Sequence, residues 1–126
     1  HVLLDAACFA ATSAIDLSKY TPDYVALSFY KMAGYPSLGA LLVRRPTDNA
    51  TEGPGYCLRR PYFAGGSVVE CTSTIPWQMY KEFPARLEDG TLPFLSIVAL
   101  KGGLTRLSSL TMSQIHKHTV VLAAWL

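Results

Sequence analysis

Charge is scarce in this sequence: 16% of its 126 residues are charged and the formal net charge is +2. Its lysines and arginines are spread along the chain and no nucleic-acid-binding motif is present, so the electrostatic footprint of a nucleic-acid partner is missing. Cysteine is scarce as well. Cys8, Cys57 and Cys71 are odd in number and form no C-x-x-C pair, which fits neither a disulfide framework nor a zinc knuckle and points to a reducing, cytoplasmic setting. No apolar run approaches the roughly 20 residues that span a bilayer, and no basic-then-apolar signal opens the chain, so no membrane association is expected. His116 and His118 lie two apart on a predicted helix and face different ways, so no metal site is expected there. An initiator methionine is also lacking, and the chain stops at Ala123-Ala124-Trp125-Leu126 inside an apolar run. Both ends are expected to be cut from something longer.

What is present is apolar. Half the residues are hydrophobic, enough for one modest globular domain with a core. Val2 to Leu4 reads as a buried parallel strand that delivers Asp5 at its C-terminal end, the edge of an open α/β sheet where ligands bind. Ile15-Asp16-Leu17-Ser18 with Tyr20 predicts one helical turn, and Thr21-Pro22-Asp23 a turn into a second strand ending near Ser28. Leu38 to Arg44 predicts a third strand, antiparallel to the second because only a short turn around Gly34-Tyr35-Pro36 precedes it. Pro46 to Pro61 reads as an exposed loop holding Cys57, and Val68 to Thr72 as a further strand. The pair Gly65-Gly66 marks a backbone that something approaches closely. Thr91 is expected to cap a helix from Pro93 towards Leu107, weakened late by Gly102-Gly103, which would put Gly90 and Thr91 at an anion-binding helix start. Thr111 and Gln114 have capping-box spacing for a last helix, Ser113 to Leu126. Trp77 and the aromatics Tyr62-Phe63 read as core.

The chain is organised around Ser28-Phe29-Tyr30-Lys31. A lysine presented at the mouth of a sheet is expected to lose solvation, which lowers its pKa and frees the amine to attack a carbonyl. The plainer alternative is a surface lysine at a strand end. Pyridoxal phosphate requires a lysine to hold it as an imine, a carboxylate beside its ring nitrogen and donors around its phosphate. Lys31 and Asp5 supply the first two on neighbouring strand ends. Ser28, Tyr30 and the Gly90-Thr91 helix start offer the rest.

In the same order along nearly the whole chain, a set of motifs resembles the aminotransferase-like domain of the molybdenum cofactor sulfurases. They are Asp5-Ala6-Ala7, Asp16-Leu17-Ser18, Ser28-Phe29-Tyr30-Lys31, Gly34-Tyr35-Pro36, Leu38-Gly39-Ala40-Leu41, Tyr62-Phe63 with Gly65-Gly66, Arg86 with Glu88-Asp89-Gly90-Thr91, Phe94-Leu95, and His118-Thr119. The parent group is the class V aminotransferase and cysteine desulfurase set. The resemblance implies an α/β fold: the central part of a fold-type I pyridoxal-phosphate-dependent large domain, with a mixed, mostly parallel sheet and flanking helices. Residues 1–126 would be a partial domain of this kind, truncated at both ends.

The implied activity is a transferase that takes sulfur from L-cysteine and passes it to the molybdenum cofactor through a C-terminal domain absent from this sequence. Lys31 matches the imine-forming, catalytic lysine, Asp5 the carboxylate paired with the ring nitrogen, and Ser28 a phosphate ligand. Thr91 matches a threonine that reaches the phosphate of a neighbouring subunit, which implies a homodimer. Tyr30 stands where desulfurases carry a histidine, and Cys8 where they keep a glutamine near the ring oxygen. The turn after Pro36 is one residue short and the Pro46–Pro61 loop is long. These departures leave open another class V enzyme, whether a cysteine desulfurase, a lyase or an aminotransferase, and a catalytically silent structural fragment. None of the three cysteines matches the family's persulfide-forming position.

Overall fold

The computed structural model describes residues 1–45 and 65–126. It divides into two compact units, His1–Val43 with Pro93–Leu126, and Arg44–Leu92. The expected Pro46–Pro61 loop, Cys57 and Tyr62-Phe63 lie outside the described residues.

The first unit is built on a three-stranded sheet, β1 (Leu3–Asp5), β2 (Tyr24–Ser28) and β3 (Gly39–Val43), in the order β1-β2-β3. β1 and β2 are parallel, with Asp5 opposite Ala26, whereas β2 and β3 are antiparallel, with Ser28 opposite Gly39. The expected antiparallel return is therefore found. The expected majority of parallel pairings is not: this described sheet has one pairing of each kind.

A parallel pair needs a crossover, and residues 6 to 23 make it with a 3-10 turn at Phe9–Ala11 rather than a full helix. The predicted helical turn at Ile15 to Tyr20 is found as a single turn, in which the Asp16 carbonyl accepts from the Lys19 and Tyr20 amides, both at 3.3 Å, while Asp16 Oδ1 accepts from the Ser18 amide at 2.9 Å and the Ser18 hydroxyl at 2.5 Å. A carboxylate at the first residue of such a turn satisfies an amide that the turn itself leaves without a partner. Asp23 closes the crossover. It is buried, and its Oδ2 accepts from the Val2 amide at 2.7 Å, which ties the start of β1 to the start of β2.

Ala6, Ala10 and Val25 form the buried cluster beneath the crossover, with Ile15, Leu27 and Met32 packed against it. Two alanines keep that cluster small, and large apolar side chains remain exposed on the helices.

Helix α2 (Phe94–Leu110) belongs to this unit. Its N-cap position is Pro93, with no side-chain cap, so Thr91 does not start the helix and the predicted anion site at Gly90-Thr91 is not formed as a helix terminus. Pro93 explains the shift, because proline disfavours helical backbone at Leu92. Gly102 and Gly103 do not interrupt the helix. A Cβ at Gly103 would lie 2.7 Å from the Tyr35 ring and 2.9 Å from Ala33 Cβ, so this glycine lets α2 approach the segment that carries Lys31. The Tyr35 hydroxyl adds a hydrogen bond to the Ala99 carbonyl at 2.8 Å.

Helix α3 (Met112–Trp125) starts as the sequence predicts, with Thr111 Oγ1 accepting from the Gln114 amide at 3.4 Å. His116 Nδ1 lies 3.1 Å from Ser13 Oγ and ties α3 to the crossover.

In the second unit β4 (Val68–Cys71) and β5 (Gln78–Tyr80) pair antiparallel with an irregularity between Val68 and Glu70. The close approach expected at Gly65-Gly66 is to the chain's own backbone. Gly66 N–H donates to the Asp89 carbonyl at 3.0 Å, and a Cβ at Gly66 would come within 3.2 Å of the Glu88 carbonyl oxygen. Trp77 is 48% exposed and does not belong to a core, contrary to expectation, because it stands in the connection between the two strands of a short ribbon. Among the described residues no helix is long and apolar enough to cross a membrane.

Candidate active site

The parallel register of β1 and β2 puts Asp5 at a strand end beside Ala26, and the chain then runs through Ser28 into a short helix, α1 (Phe29–Ala33). Both ends of α1 are specified locally. Ser28 is its N-cap, with Oγ accepting from the Lys31 amide at 3.4 Å. Gly34 closes it at φ 76°, a left-handed conformation suited to glycine, with its N–H bonded to the Tyr30 carbonyl at 2.8 Å. Lys31 is thus the third residue of a capped helical turn, not a residue hanging from a strand end.

Asp5 is oriented in the same economical way. Its Oδ1 accepts from the Ala7 amide at 3.0 Å, while Ala6 N–H donates to the Ala26 carbonyl at 3.0 Å and extends the parallel pairing past the strand. The turn that follows brings round Cys8, whose Sγ lies 2.8 Å from Lys31 Nζ.

This contact overturns the expectation for Lys31. The lysine is exposed, and its ammonium is held above the ordinary value of 10.5. Hydrogen bonding to Cys8 is the main cause and the charge of an ionised Cys8 the next. Desolvation pulls the other way and is outweighed, and the Asp5 carboxylate adds a smaller push upward. At this sheet edge desolvation of the amine is outweighed by the Cys8 contact and the Asp5 carboxylate, which favour the charged form.

Asp5, Ser28 and Lys31 are therefore gathered at one end of the β1-β2 pair. Tyr30, on α1 beside them, has its side chain exposed. Thr91 is exposed and belongs to the second unit. A cleft of about 850 Å³ in the first unit is lined mainly by apolar side chains, among them Val2, Leu4, Phe9 and Ile15, with Asp5 also in its lining; Lys31 and Ser28 lie outside it. Among the described residues no group of three or more metal-ligating side chains is found.

Cys8 is the residue that sequence reasoning left without a role. Its position three residues after Asp5 was legible, but the 3-10 turn that returns it to Lys31 was not, because Phe9-Ala10-Ala11 carries no cap or breaker that marks such a turn.

The family model for aminotransferase class-V matches residues 1–126. The chain belongs to the aminotransferase class V family. Curated relatives of this class V chain include proteins named molybdenum cofactor sulfurase from Drosophila melanogaster, 44% identical over all of this chain, from Anopheles gambiae, 45% identical over 98% of it, and from Danio rerio, 46% identical over 98% of it. The chain spans only 17%, 16% and 15% of those proteins, respectively.

Proposed function

We propose that this class V chain is the pyridoxal-phosphate-binding part of an enzyme that takes sulfur from L-cysteine and delivers it to the molybdenum cofactor. The names of its relatives supply the molybdenum cofactor as the acceptor of sulfur, and the gathering of Asp5, Ser28 and Lys31 at one end of a parallel strand pair is the observation that carries the reading. The donor set fits the cofactor. Lys31 offers a primary amine for covalent attachment, Asp5 a carboxylate already oriented through the Ala7 amide, and Ser28 a hydroxyl. Pyridoxal phosphate, when bound, supplies an electron sink for bond breaking at an amino-acid substrate.

The residues of this chain have the following parts. Asp5 would hold the ring nitrogen of the cofactor in its protonated form, since a carboxylate favours a neighbouring positive charge. Ser28 donates to the phosphate, and Tyr30 and Thr91 are further candidates, Thr91 towards a neighbouring subunit of a homodimer. Lys31 Nζ would hold the cofactor covalently and, as a free amine, would move protons at the substrate. Because its ammonium is favoured by the Cys8 contact and the Asp5 carboxylate, Nζ would have to lose a proton before attachment. The setting is the cytoplasm, and the molybdenum cofactor is reached through another part of the longer protein.

Borohydride trapping of added pyridoxal phosphate followed by peptide mapping tests the assignment. A single label on Lys31 in the full natural chain, absent from Lys31→Ala, is the expected result. Label spread over surface lysines and unchanged in the variant would remove the cofactor from this chain. Sulfur release from L-cysteine by the labelled-competent protein, lost in Lys31→Ala, then tests the substrate.

A further inference from the structure

Two nucleophiles of different chemistry meet at Cys8 and Lys31. Sγ and Nζ are 2.8 Å apart, both residues are exposed, and Cys8 is a free thiol. The contact joins residues 23 apart in sequence, so it is made by the fold and not by local chain geometry. Cys71, the other free cysteine among the described residues, is also exposed and belongs to the second unit.

Cys8 Sγ accepts a hydrogen bond from Lys31 Nζ and is open to solvent, and the thiolate of such a cysteine is the form that peroxides oxidise. The product, a sulfenic acid, has an electrophilic sulfur, and the nucleophile already beside it is Lys31. We infer that Cys8 and Lys31 form an oxidant-driven covalent modification site, in which a peroxide converts the pair into a sulfur–nitrogen link that removes the amine from service. In the first step the thiolate attacks hydrogen peroxide: the O–O bond breaks, sulfur is oxidised by two electrons and, after protonation, water leaves with a sulfenic acid remaining. In the second step the unprotonated Nζ attacks sulfur: the S–N bond forms, the S–OH bond breaks, and hydroxide leaves as water with a proton from Nζ. One peroxide is consumed and two waters are released. Two equivalents of an external thiol reverse the link, returning Cys8 and Lys31 and leaving one external disulfide.

The linking chemistry needs only the two side chains, while its consequence for activity rests on Lys31 being the cofactor-attachment residue. The experiment separates these. The full natural chain without cofactor is treated with hydrogen peroxide, digested and mapped by mass. The expected product is a linked peptide pair joining Cys8 and Lys31, about 2 Da lighter than the sum of its parts, restored to separate peptides by dithiothreitol and absent from Cys8→Ser and from Lys31→Arg. Cys71 serves as the internal reference and is expected to oxidise without a lysine attached.

Borohydride-fixed pyridoxyl label on Lys31 is then measured on the same samples. It should fall in proportion to the linked fraction, return after dithiothreitol, and keep its own untreated level in peroxide-treated Cys8→Ser. Cofactor added before the peroxide should protect the pair, since Nζ is then occupied. Oxidation of Cys8 to sulfinic or sulfonic acid with Lys31 unlinked would overturn the inference. A linked pair in a protein whose Lys31 never takes the label would confirm the modification and reject the cofactor reading instead.

Discussion

Gly103→Ala should destabilise this protein although alanine is the better helix former. In an exposed helix the exchange stabilises by about 1 kcal/mol through backbone entropy. At this position the new methyl would lie 2.7 Å from the Tyr35 ring and 2.9 Å from Ala33 Cβ, both inside contact distance. Overpacking of this kind typically costs about 1–3 kcal/mol. Ala33 belongs to α1 and cannot swing aside, and moving the Tyr35 ring endangers its hydrogen bond to the Ala99 carbonyl, worth about 1 kcal/mol. The sterics therefore win, and the net effect is a loss of about 1–3 kcal/mol. The neighbouring glycine provides the control. A Cβ at Gly102 meets nothing closer than the Tyr35 hydroxyl at 4.0 Å, so Gly102→Ala should gain up to about 1 kcal/mol. Thermal unfolding followed by far-ultraviolet circular dichroism reads both variants, with about 4 °C expected per kcal/mol in a chain of this size. If Gly103→Ala is as stable as the parent or rises alongside Gly102→Ala, the close approach of α1 and α2 at this point is wrong.

Three further outcomes are expected. Thr111 caps α3 but holds φ at 60°, strained for a β-branched residue; Thr111→Ala should lose about 1 kcal/mol of helix stability with the cap, whereas Thr111→Gly should match or exceed the parent in urea unfolding. Asp16 has its carboxyl held below the usual 3.8, first by the Ser18 hydroxyl and then by the Ser18 amide, so its contribution to stability is present above the ordinary carboxylate range and fades as pH falls through the depressed value. Ser18→Ala should raise the Asp16 pKa in a nuclear magnetic resonance titration, and an unmoved titration would show that the hydroxyl is not engaged. Lys31 shifts the opposite way: its ammonium is favoured, so the associated stability is present below the ordinary lysine value and fades as pH rises through the elevated one. Cys8→Ala should therefore shift the Lys31 titration downward and bring reductive alkylation of Nζ in at lower pH, and an unchanged profile would count against the Cys8 contact.

The strands were legible because period and punctuation agree. Val2 to Leu4 and Tyr24 to Ser28 are apolar runs closed by residues that turn or cap, and the short connection around Gly34-Tyr35-Pro36 dictates an antiparallel return at Gly39–Val43. The cap of α3 was legible for the same reason, since Thr111 reaches only three residues forward. Thr91 misled because its capping chemistry is sound while Pro93, two residues on, decides where helical backbone can begin. The single helical turn at Asp16 was legible as well, since its carbonyl and carboxylate bind only residues two to four further on.

For the site, sequence alone determined which groups stand at which strand ends: Asp5 closing β1, then Ser28 capping the turn that carries Lys31. Those are local matters of strand length, capping and glycine conformation, and they need no distant partner. Tertiary structure decided the state of the amine. Whether Lys31 is dehydrated or surrounded by negative groups depends on where the crossover returns Cys8, and its sulfur arrives 2.8 Å from Nζ. That single through-space contact reverses the expected direction of the pKa, because electrostatics depends on distance across the fold and not on separation along the chain.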